Sequence, residues 1–493
     1  IAVARRALEL VPRNAEAHAI LADALAAERR HKEAQASNLT AIALDPKQRK
    51  ARINLCKAYI DAGEVSLAEQ AAREAVAIFP TDAIVRNNLL FALNYSHERT
   101  AEEVFQAYQE CDRQLFQPLR NKWQPHANPR HADRKLKIGY VSPDFRKHSG
   151  NNFVELVFAH HDRQAFELTA YAELLVEDEV TERFKTYFDH WTPTAGLTDA
   201  ELAEQIRDDG IDILIDLAGH TQGNRLGAFA RKPAPVSLTW MGYGYTTGLS
   251  AIDYIVMDET MAPAGSDTLF SEKVWRMSTA GAYRPIATMG EVSELPALST
   301  DFITFGTLSR AIRINERTIR TWAAILRRLP HARLVVDSGS YQDAAVCEAL
   351  VAEVEARGVG RNRLSIGFHS PPWDILRQID IGLVSIPHNS GTTLMESIYM
   401  GVPYVSLADR PSVGRLGGSI LKSVGLAHLI CATEEEYVEK AIALASDLPG
   451  LADIRRGLRQ AARDSVLMDE AGFTREFEMG LKKMYSRWCE EQA

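Results

Sequence analysis

"IDIGLVSIPHNSGTTLMESIYMGVPYVSL", residues 379–407, decides how the chain folds. A short apolar run (379–386) is followed by a turn of small residues, Ser390-Gly391-Thr392-Thr393. An amphipathic segment and a second apolar run, "VPYVSL", come next. Strand, turn, helix, strand is the unit of a parallel sheet, because parallel neighbours need a crossover and a helix supplies it. The turn carries its own message. First-turn N–H groups of a helix are unpaired and bear the positive end of its dipole, which suits an anionic ligand. Thr392 and Thr393 add hydroxyl donors, and Glu396, four residues after Thr392, shares their helix face. A carboxylate there could grip the two hydroxyls of a ribose while the turn holds its phosphates. The same residues also read as a plain N-cap followed by a solvated first-turn acid.

Outward from this unit the same texture recurs. "FITFGTL", "ARLVVDSGS" and "RLSIGF" precede it. "LKIGYVS", "FELTAYAEL" and "IDILIDLAG" lie before the turn-rich stretch 279–300. Helical patterns separate these strands, which predicts mostly parallel sheets with helices on both faces. Two α/β halves follow, 135–290 and 291–468, expected as two Rossmann-like domains with a cleft between them. In open sheets of this kind ligands sit beyond the carboxyl ends of the strands. The last run, 469–493, reads as a helix that could pack back across the first half.

The first hundred residues are of another kind. Pro12, Pro46 and Pro80 recur every 34 residues, as do Ala7, Ala41 and Ala75, Leu21, Leu55 and Leu89, and Ala24, Ala58 and Ala92. Each unit reads as helix, turn, helix, with the proline ending the second helix and alanines allowing close packing. The pattern, over 1–95, resembles the tetratricopeptide repeat, whose arrays form a concave groove for peptides or partner proteins. A spacer without a ligand is the plainer alternative. The chain opens at Ile1 inside such a helix, so further repeats are expected upstream. Residues 96–134 are expected as a connecting helix, "AEEVFQAYQECDRQLF", and a polar linker.

Composition narrows the function classes. Over 493 residues, 46% apolar and 25% charged, the chain has a net charge of −9. That balance argues against general affinity for nucleic acid or anionic membrane. Five scattered cysteines form no CxxC or CxxH pair, which fits a reducing compartment such as the cytoplasm. No apolar stretch reaches the ~18 residues of a spanning helix. HExxH, GxSxG and any pair of aspartates one residue apart are missing, so metal or serine-nucleophile chemistry has little support. Charge on a phosphate leaving group would then fall to helix N-termini and cations. Arg310 and Arg313, after "FITFGTL", are the natural pair, although both also read as solvated charges.

Further candidates follow strands of the first half. Asp144 and His148 stand in "PDFRKHSGNN", His190 in "TYFDHW", and His220 in "IDLAGHTQGNR" after Asp216. Met241, Gly242, Tyr243 and Gly244 form a flexible turn. Strand ends on one edge converge in space, so three histidines at separate ends favour a site. Each alone reads as a hydrogen-bonded structural residue.

Repeats of period 34 followed by "VSPDFRKH", "DLAGHTQGNRL", "KPAPVSLTWMGYGYTTG" and "GTTLMESIYMGVP" resemble the O-linked N-acetylglucosamine transferase family, in a bacterial form, over essentially the whole chain. The resemblance implies the GT-B fold, with inverting transfer from UDP-N-acetylglucosamine to serine or threonine hydroxyls. It implies no metal or other cofactor. It places His148 near sugar and acceptor, with His190 as a second histidine lining the site and Met241 and Gly242 beside the sugar, next to Tyr243. Thr392 and Thr393 would contact the diphosphate and Glu396 the ribose. His369, with Trp373, falls where a loop frames the uracil. UDP or its sugar conjugate and an acceptor protein, the latter through the repeat groove, are the implied partners. His148 is the candidate general base, with an orienting role as its rival; Arg313 and Arg310 are the candidate charge donors.

Departures from the family pattern also stand out. Arg313 replaces a lysine, Ser309-Arg310 an Asn-Gln pair, and Gly391 a histidine. These keep two alternatives open: a nucleotide-binding repeat scaffold with little turnover, or a relative that uses another nucleotide sugar, of fucose or glucose. A small-molecule epimerase of the same fold is disfavoured, since it would gain nothing from a peptide groove.

Overall fold

The structure, a computed structural model, describes residues 1–491. Six helices open the chain: α1 (Ala2–Leu10), α2 (Ala15–Ala27), α3 (His31–Leu44), α4 (Arg49–Asp61), α5 (Val65–Ile78) and α6 (Ala83–Tyr95). The 34-residue period reaches their caps. Asn14, Gln48 and Asp82 each accept first-turn N–H bonds of the helix that follows. Ala41, Ala58, Ala75 and Ala92 are buried between helices, whereas Ala7 is exposed. Next comes α7 (Ala101–Cys111), opened by a reciprocal Thr100–Glu103 capping box.

Among the described residues thirteen strands form two all-parallel sheets. The first holds β1 (Leu136–Ser142), β2 (Phe166–Ala172), β3 (His190–Pro193), β4 (Ile213–Asp216), β5 (Val236–Thr239), β6 (Tyr254–Asp258) and β7 (Lys273–Met277). Its order is β3-β2-β1-β4-β5-β6-β7. The second holds β8 (Thr304–Thr307), β9 (Arg333–Asp337), β10 (Leu364–Gly367), β11 (Ile381–Leu383), β12 (Tyr404–Leu407) and β13 (Ile430–Cys431), in the order β10-β9-β8-β11-β12-β13. Counted within each sheet, the second runs 3-2-1-4-5-6 and the first the same with a seventh strand at its end, the doubly wound order of a Rossmann fold, as a GT-B chain requires. The order reverses between β1 and β4 and between β8 and β11. Those reversals are where ligands bind in such sheets.

The chain divides into two compact bodies that do not follow sequence order. One comprises 1–99, 289–409 and 426–459: the helical array together with the second sheet. The other comprises 100–288, 410–425 and 460–493: α7, the first sheet and the C-terminal helix. In the second body the expected return of the last helix is present. Helix Glu470–Glu491 lies on helix Asn151–His160, and Phe473 and Phe477 pack on Trp240 at 5.8 and 4.9 Å. Residues 410–425, read from sequence as part of the second half, belong here too; Ser419 donates to buried Asp258 at 2.5 Å.

In the first body the array is built into the second sheet's loops. Gly63, at φ +82°, lies so close to Ala311 that a Cβ would stand 2.9 Å from its carbonyl. Val65 and Tyr95 share an apolar cluster with Ile312. The His31 N–H donates to Asp343 at 3.1 Å, and Arg29 donates to the Gly339 carbonyl at 3.0 Å.

Candidate active site

In the body that carries the array, the loops after β8 and β11 hold most of the candidates. Those two strands are neighbours at the reversal of strand order. The β11 loop is shaped by its own polar groups: Ser385 Oγ donates to the His388 carbonyl at 2.9 Å, and Asn389 to the Ser385 carbonyl at 3.0 Å. It ends at Gly391, where helix Thr392–Tyr399 begins with no side-chain cap. The N–H groups of Thr392 and Thr393 are therefore open to a ligand, while that of Leu394 already donates to the Gly391 carbonyl at 3.1 Å. Thr392 and Thr393 are half-buried there, with Thr393 Oγ1 donating to Ser390 Oγ at 2.7 Å.

Glu396 is not a solvated first-turn acid. It is 7% exposed, no cation among the described residues pairs with it, and burial alone pushes its carboxyl up to about 7. Arg313 is its opposite in charge. Half-buried and without a carboxylate partner among the described residues, it is drawn down to about 10 by burial and, less, by Arg310. Its guanidinium lies 5.6 Å from the Tyr95 ring centre, and its Nε is 3.3 Å from His388 Nδ1. That nitrogen is also 2.8 Å from the Asn389 carbonyl, so His388 Nδ1 accepts from Arg313 in one tautomer and donates to Asn389 in the other. Arg310 is exposed and donates to Tyr95 Oη at 3.1 Å.

His369 stands beyond β10, its Nδ1 2.6 Å from Asp337 Oδ2 at the end of β9; its N–H also donates to Asp337. The ring is open to solvent while Asp337 is buried, an arrangement that fixes the tautomer of an exposed imidazole. Trp373 is not beside it in role. At 7% exposure it packs among Met289, Leu376 and Met400 as core, against the expectation of a base-framing residue.

In the other body, residues after β1, β4 and β5 line one pocket: Asp144, His148, Asn151, Leu217, Met241 and Gly242 among them. Three stretches distant in sequence thus converge, as strand-end logic requires. Gly242 (φ +70°) is irreplaceable by shape, since a Cβ would stand 2.1 Å from the Leu217 carbonyl oxygen. Met241 is itself held at φ +59°, a backbone region that non-glycine residues rarely adopt. His148 Nδ1 accepts the Gly150 N–H at 3.2 Å and stays 3.8 Å from Asp144. With Nδ1 so engaged, Nε2 carries the proton, and the ring is set to donate.

The other two histidines are not brought to this pocket. His190 opens the edge strand β3 rather than ending a strand, and its exposed ring faces Glu167 at 3.1 Å. His220 follows β4 but is buried; burial pushes it down to about 4, and its Nε2 donates to the Thr247 carbonyl at 2.6 Å. It braces the turn from beneath, 5.5 Å from the Tyr243 ring and 5.2 Å from Tyr108. Tyr243 is likewise buried, its hydroxyl bonded to that of Tyr108 on α7. Tyr95, Tyr108, Asp337 and His388 had no role in the reading from sequence, although His388 stands inside the stretch 379–407; each acts by touching a candidate from a remote segment.

Among the described residues no group of three or more His, Cys, Asp or Glu could hold a metal ion, and no helix is long and apolar enough to cross a membrane. Several known proteins share this chain's pattern. A mutant O-GlcNAc transferase of Thermobaculum terrenum superposes with a TM-score of 0.93 at 34% identity, covering 99% of this chain and 94% of that one. A Solanum lycopersicum protein named a probable UDP-N-acetylglucosamine–peptide N-acetylglucosaminyltransferase, SPINDLY, is 34% identical over 422 residues, 84% of this chain. The Arabidopsis thaliana protein SEC, of the same printed activity, is 28% identical over 374 residues, 73% of this chain. The chain spans 45% of the first and 38% of the second, less than half the length of these curated relatives. The model of glycosyl transferase family 41 matches residues 114–284 and 281–477, and the chain belongs to that family.

Proposed function

We propose that the chain is an inverting, metal-independent glycosyltransferase that moves N-acetylglucosamine from UDP to serine or threonine hydroxyls of proteins. One observation carries the donor side. Among the described residues Arg313 and Arg310 are cations without carboxylates and Glu396 is a buried carboxylate without a cation, and they flank an uncapped helix start where the strand order reverses. A nucleoside diphosphate has the complementary set, with anionic phosphates for the arginines and the turn, and ribose hydroxyls that can donate to Glu396. His369, held by Asp337, is assigned to the uracil.

In the reaction the acceptor hydroxyl attacks the anomeric carbon, and the carbon–oxygen bond to the β-phosphate breaks from the opposite face. The bonding electrons leave with UDP, where Arg313, Arg310 and the Thr392 turn meet the growing charge. No metal is needed for that task. The hydroxyl proton must also go somewhere, and a placed imidazole typically contributes ~10²–10⁴-fold. His148 is assigned to the sugar and acceptor side, in the pocket with Met241 and Gly242. To take a proton at Nδ1 it must release the Gly150 N–H; with that bond closed it donates from Nε2 and orients the sugar. His190 and His220 are left out of the chemistry, and Tyr243 is given the support of the Met241–Gly242 turn.

The acceptor is assigned to the groove of the helical array, and five free cysteines favour a reducing, cytoplasmic setting. Two further readings share these residues. A nucleotide-binding scaffold with little turnover is favoured by the engaged Nδ1 of His148, and a different sugar, fucose or glucose, would leave the donor seat unchanged. Incubating the protein with UDP-N-acetylglucosamine labelled in the sugar and a cell lysate decides among them. Labelled protein supports transfer; UDP binding without label supports the scaffold; label only from another nucleotide sugar reassigns the donor.

A further inference from the structure

We infer that Tyr95 is a positioning residue through which the last helix of the repeat array sets the two arginines of the diphosphate seat. The inference rests on the donor assignment proposed above and adds to it a part for the array. Tyr95 ends α6 and is 4% exposed. Each of its features is engaged. One face of the ring stacks on His388 at 4.0 Å with planes 8° apart, the guanidinium of Arg313 lies 5.6 Å from its centroid, and its hydroxyl accepts from Arg310 at 3.1 Å. One side chain of the array therefore touches both cations of the β8 loop and the histidine of the β11 loop.

The need for such a residue follows from charge. Arg310 and Arg313 repel each other and have no carboxylate among the described residues to hold them. A carboxylate would do so at the cost of competing with the phosphates. A tyrosine holds a guanidinium by its ring face and accepts one hydrogen bond without adding charge, so the cations stay in place and remain available. Gly63 and Ile312 keep the helix ends of the array against that same loop. The array is thus part of the donor seat.

The test is a comparison of affinities for UDP and UMP by calorimetry, using the full chain. Arginines aimed at the diphosphate make UDP the tighter ligand, and the ratio of the two affinities reads their placement, whereas a general loss of structure weakens both alike. Tyr95→Leu keeps an apolar side chain against Val65 and Ile312 but has neither ring face nor hydroxyl. It is expected to lower the UDP:UMP ratio about tenfold while UMP affinity stays within twofold. Tyr95→Phe restores the ring and is expected to recover all but a two- to threefold part of that loss. A Tyr95→Leu protein with the parent's ratio overturns the inference, as does one in which both affinities fall together. A parent that binds neither nucleotide overturns the donor assignment itself, and this inference with it.

Discussion

Glu396→Gln should make the protein more stable and a worse binder of nucleotide, and the two effects should part with pH. Burial moves the Glu396 carboxyl from its ordinary 4.5 to about 7. Between those values the folded chain keeps a proton that the unfolded chain has released. Stability contributed at this site therefore declines as pH rises through that window and is level above about 7. At about 1.36 kcal/mol per pH unit, the ionised carboxylate costs the empty protein about 3 kcal/mol at pH 8. Glutamine keeps the shape and does not titrate. Thermal melts of the ligand-free protein should then show the variant close to the parent at pH 5. At pH 8 it should melt about 6–12 °C higher, at about 2–4 °C per kcal/mol for a body of this size.

Binding runs the other way. Hydrogen bonds from ribose hydroxyls to a carboxylate are worth about 1.5–3 kcal/mol, so Glu396→Gln should weaken UDP about ten- to a hundredfold at pH 8. UDP-N-acetylglucosamine has no group of its own that titrates near neutrality, so its affinity for the parent should rise with pH to about 7 and then level off. Calorimetry and melting at pH 5, 6, 7 and 8 suffice. A melting difference that does not change with pH would refute the buried, unpartnered carboxylate. An unchanged affinity would remove Glu396 from the seat while leaving its burial intact.

Arg313→Ala should lower turnover about 10²–10³-fold, the loss expected of one preorganised charge donor, with Arg313→Lys between the two; if Arg310→Ala is the damaging change instead, the charge role moves there. His148→Ala should cut turnover at least tenfold in single-turnover assays and leave UDP affinity within a few-fold, while a fall in affinity at constant rate would contradict its place on the sugar side. Gly242→Ala forces a Cβ to 2.1 Å from the Leu217 carbonyl oxygen at φ +70°. It should cost about 2 kcal/mol or more in denaturant melts and turnover as well; a fully active, equally stable variant would show that the turn yields freely.

The fold was legible wherever a strand was followed by a helix. β1, β2, β4, β8, β9, β10, β11 and β12 all fall inside apolar runs read from sequence. β5, β6 and β7 escaped because their connections, 240–253 and 259–272, carry no α-helix and so leave no change of period to detect. β3, with the sequence His190-Trp191-Thr192-Pro193 and no buried residue, has no apolar run to detect, and β13 is only two residues long. In the site, the strand-end rule brought together Asp144, His148, Met241 and Gly242. It failed at His190, because a short edge strand puts its first residue, not its last, at the histidine. Exposure is what a one-dimensional pattern conveys least. His220 and Tyr243 look like loop donors in sequence and are buried, because α7 covers them with Tyr108.

Why, then, should a fold keep Arg313 and Glu396 so poorly matched? Each is a charge drawn wholly or partly out of water with no opposite charge at hand among the described residues, and neither would survive selection for stability alone. Pairing either one with a fixed counter-charge would relieve the cost and close the seat. Neutral contacts serve instead around Arg313: the Tyr95 ring, its hydroxyl for Arg310, and the His388 imidazole all hold guanidinium groups without neutralising them. Around Glu396 there is only burial. The electrostatic cost borne by the empty protein is thus what a ligand with phosphates at one end and ribose hydroxyls at the other can relieve. Such a site discriminates by chemistry as well as shape, since a ligand lacking either end leaves one buried charge unmatched.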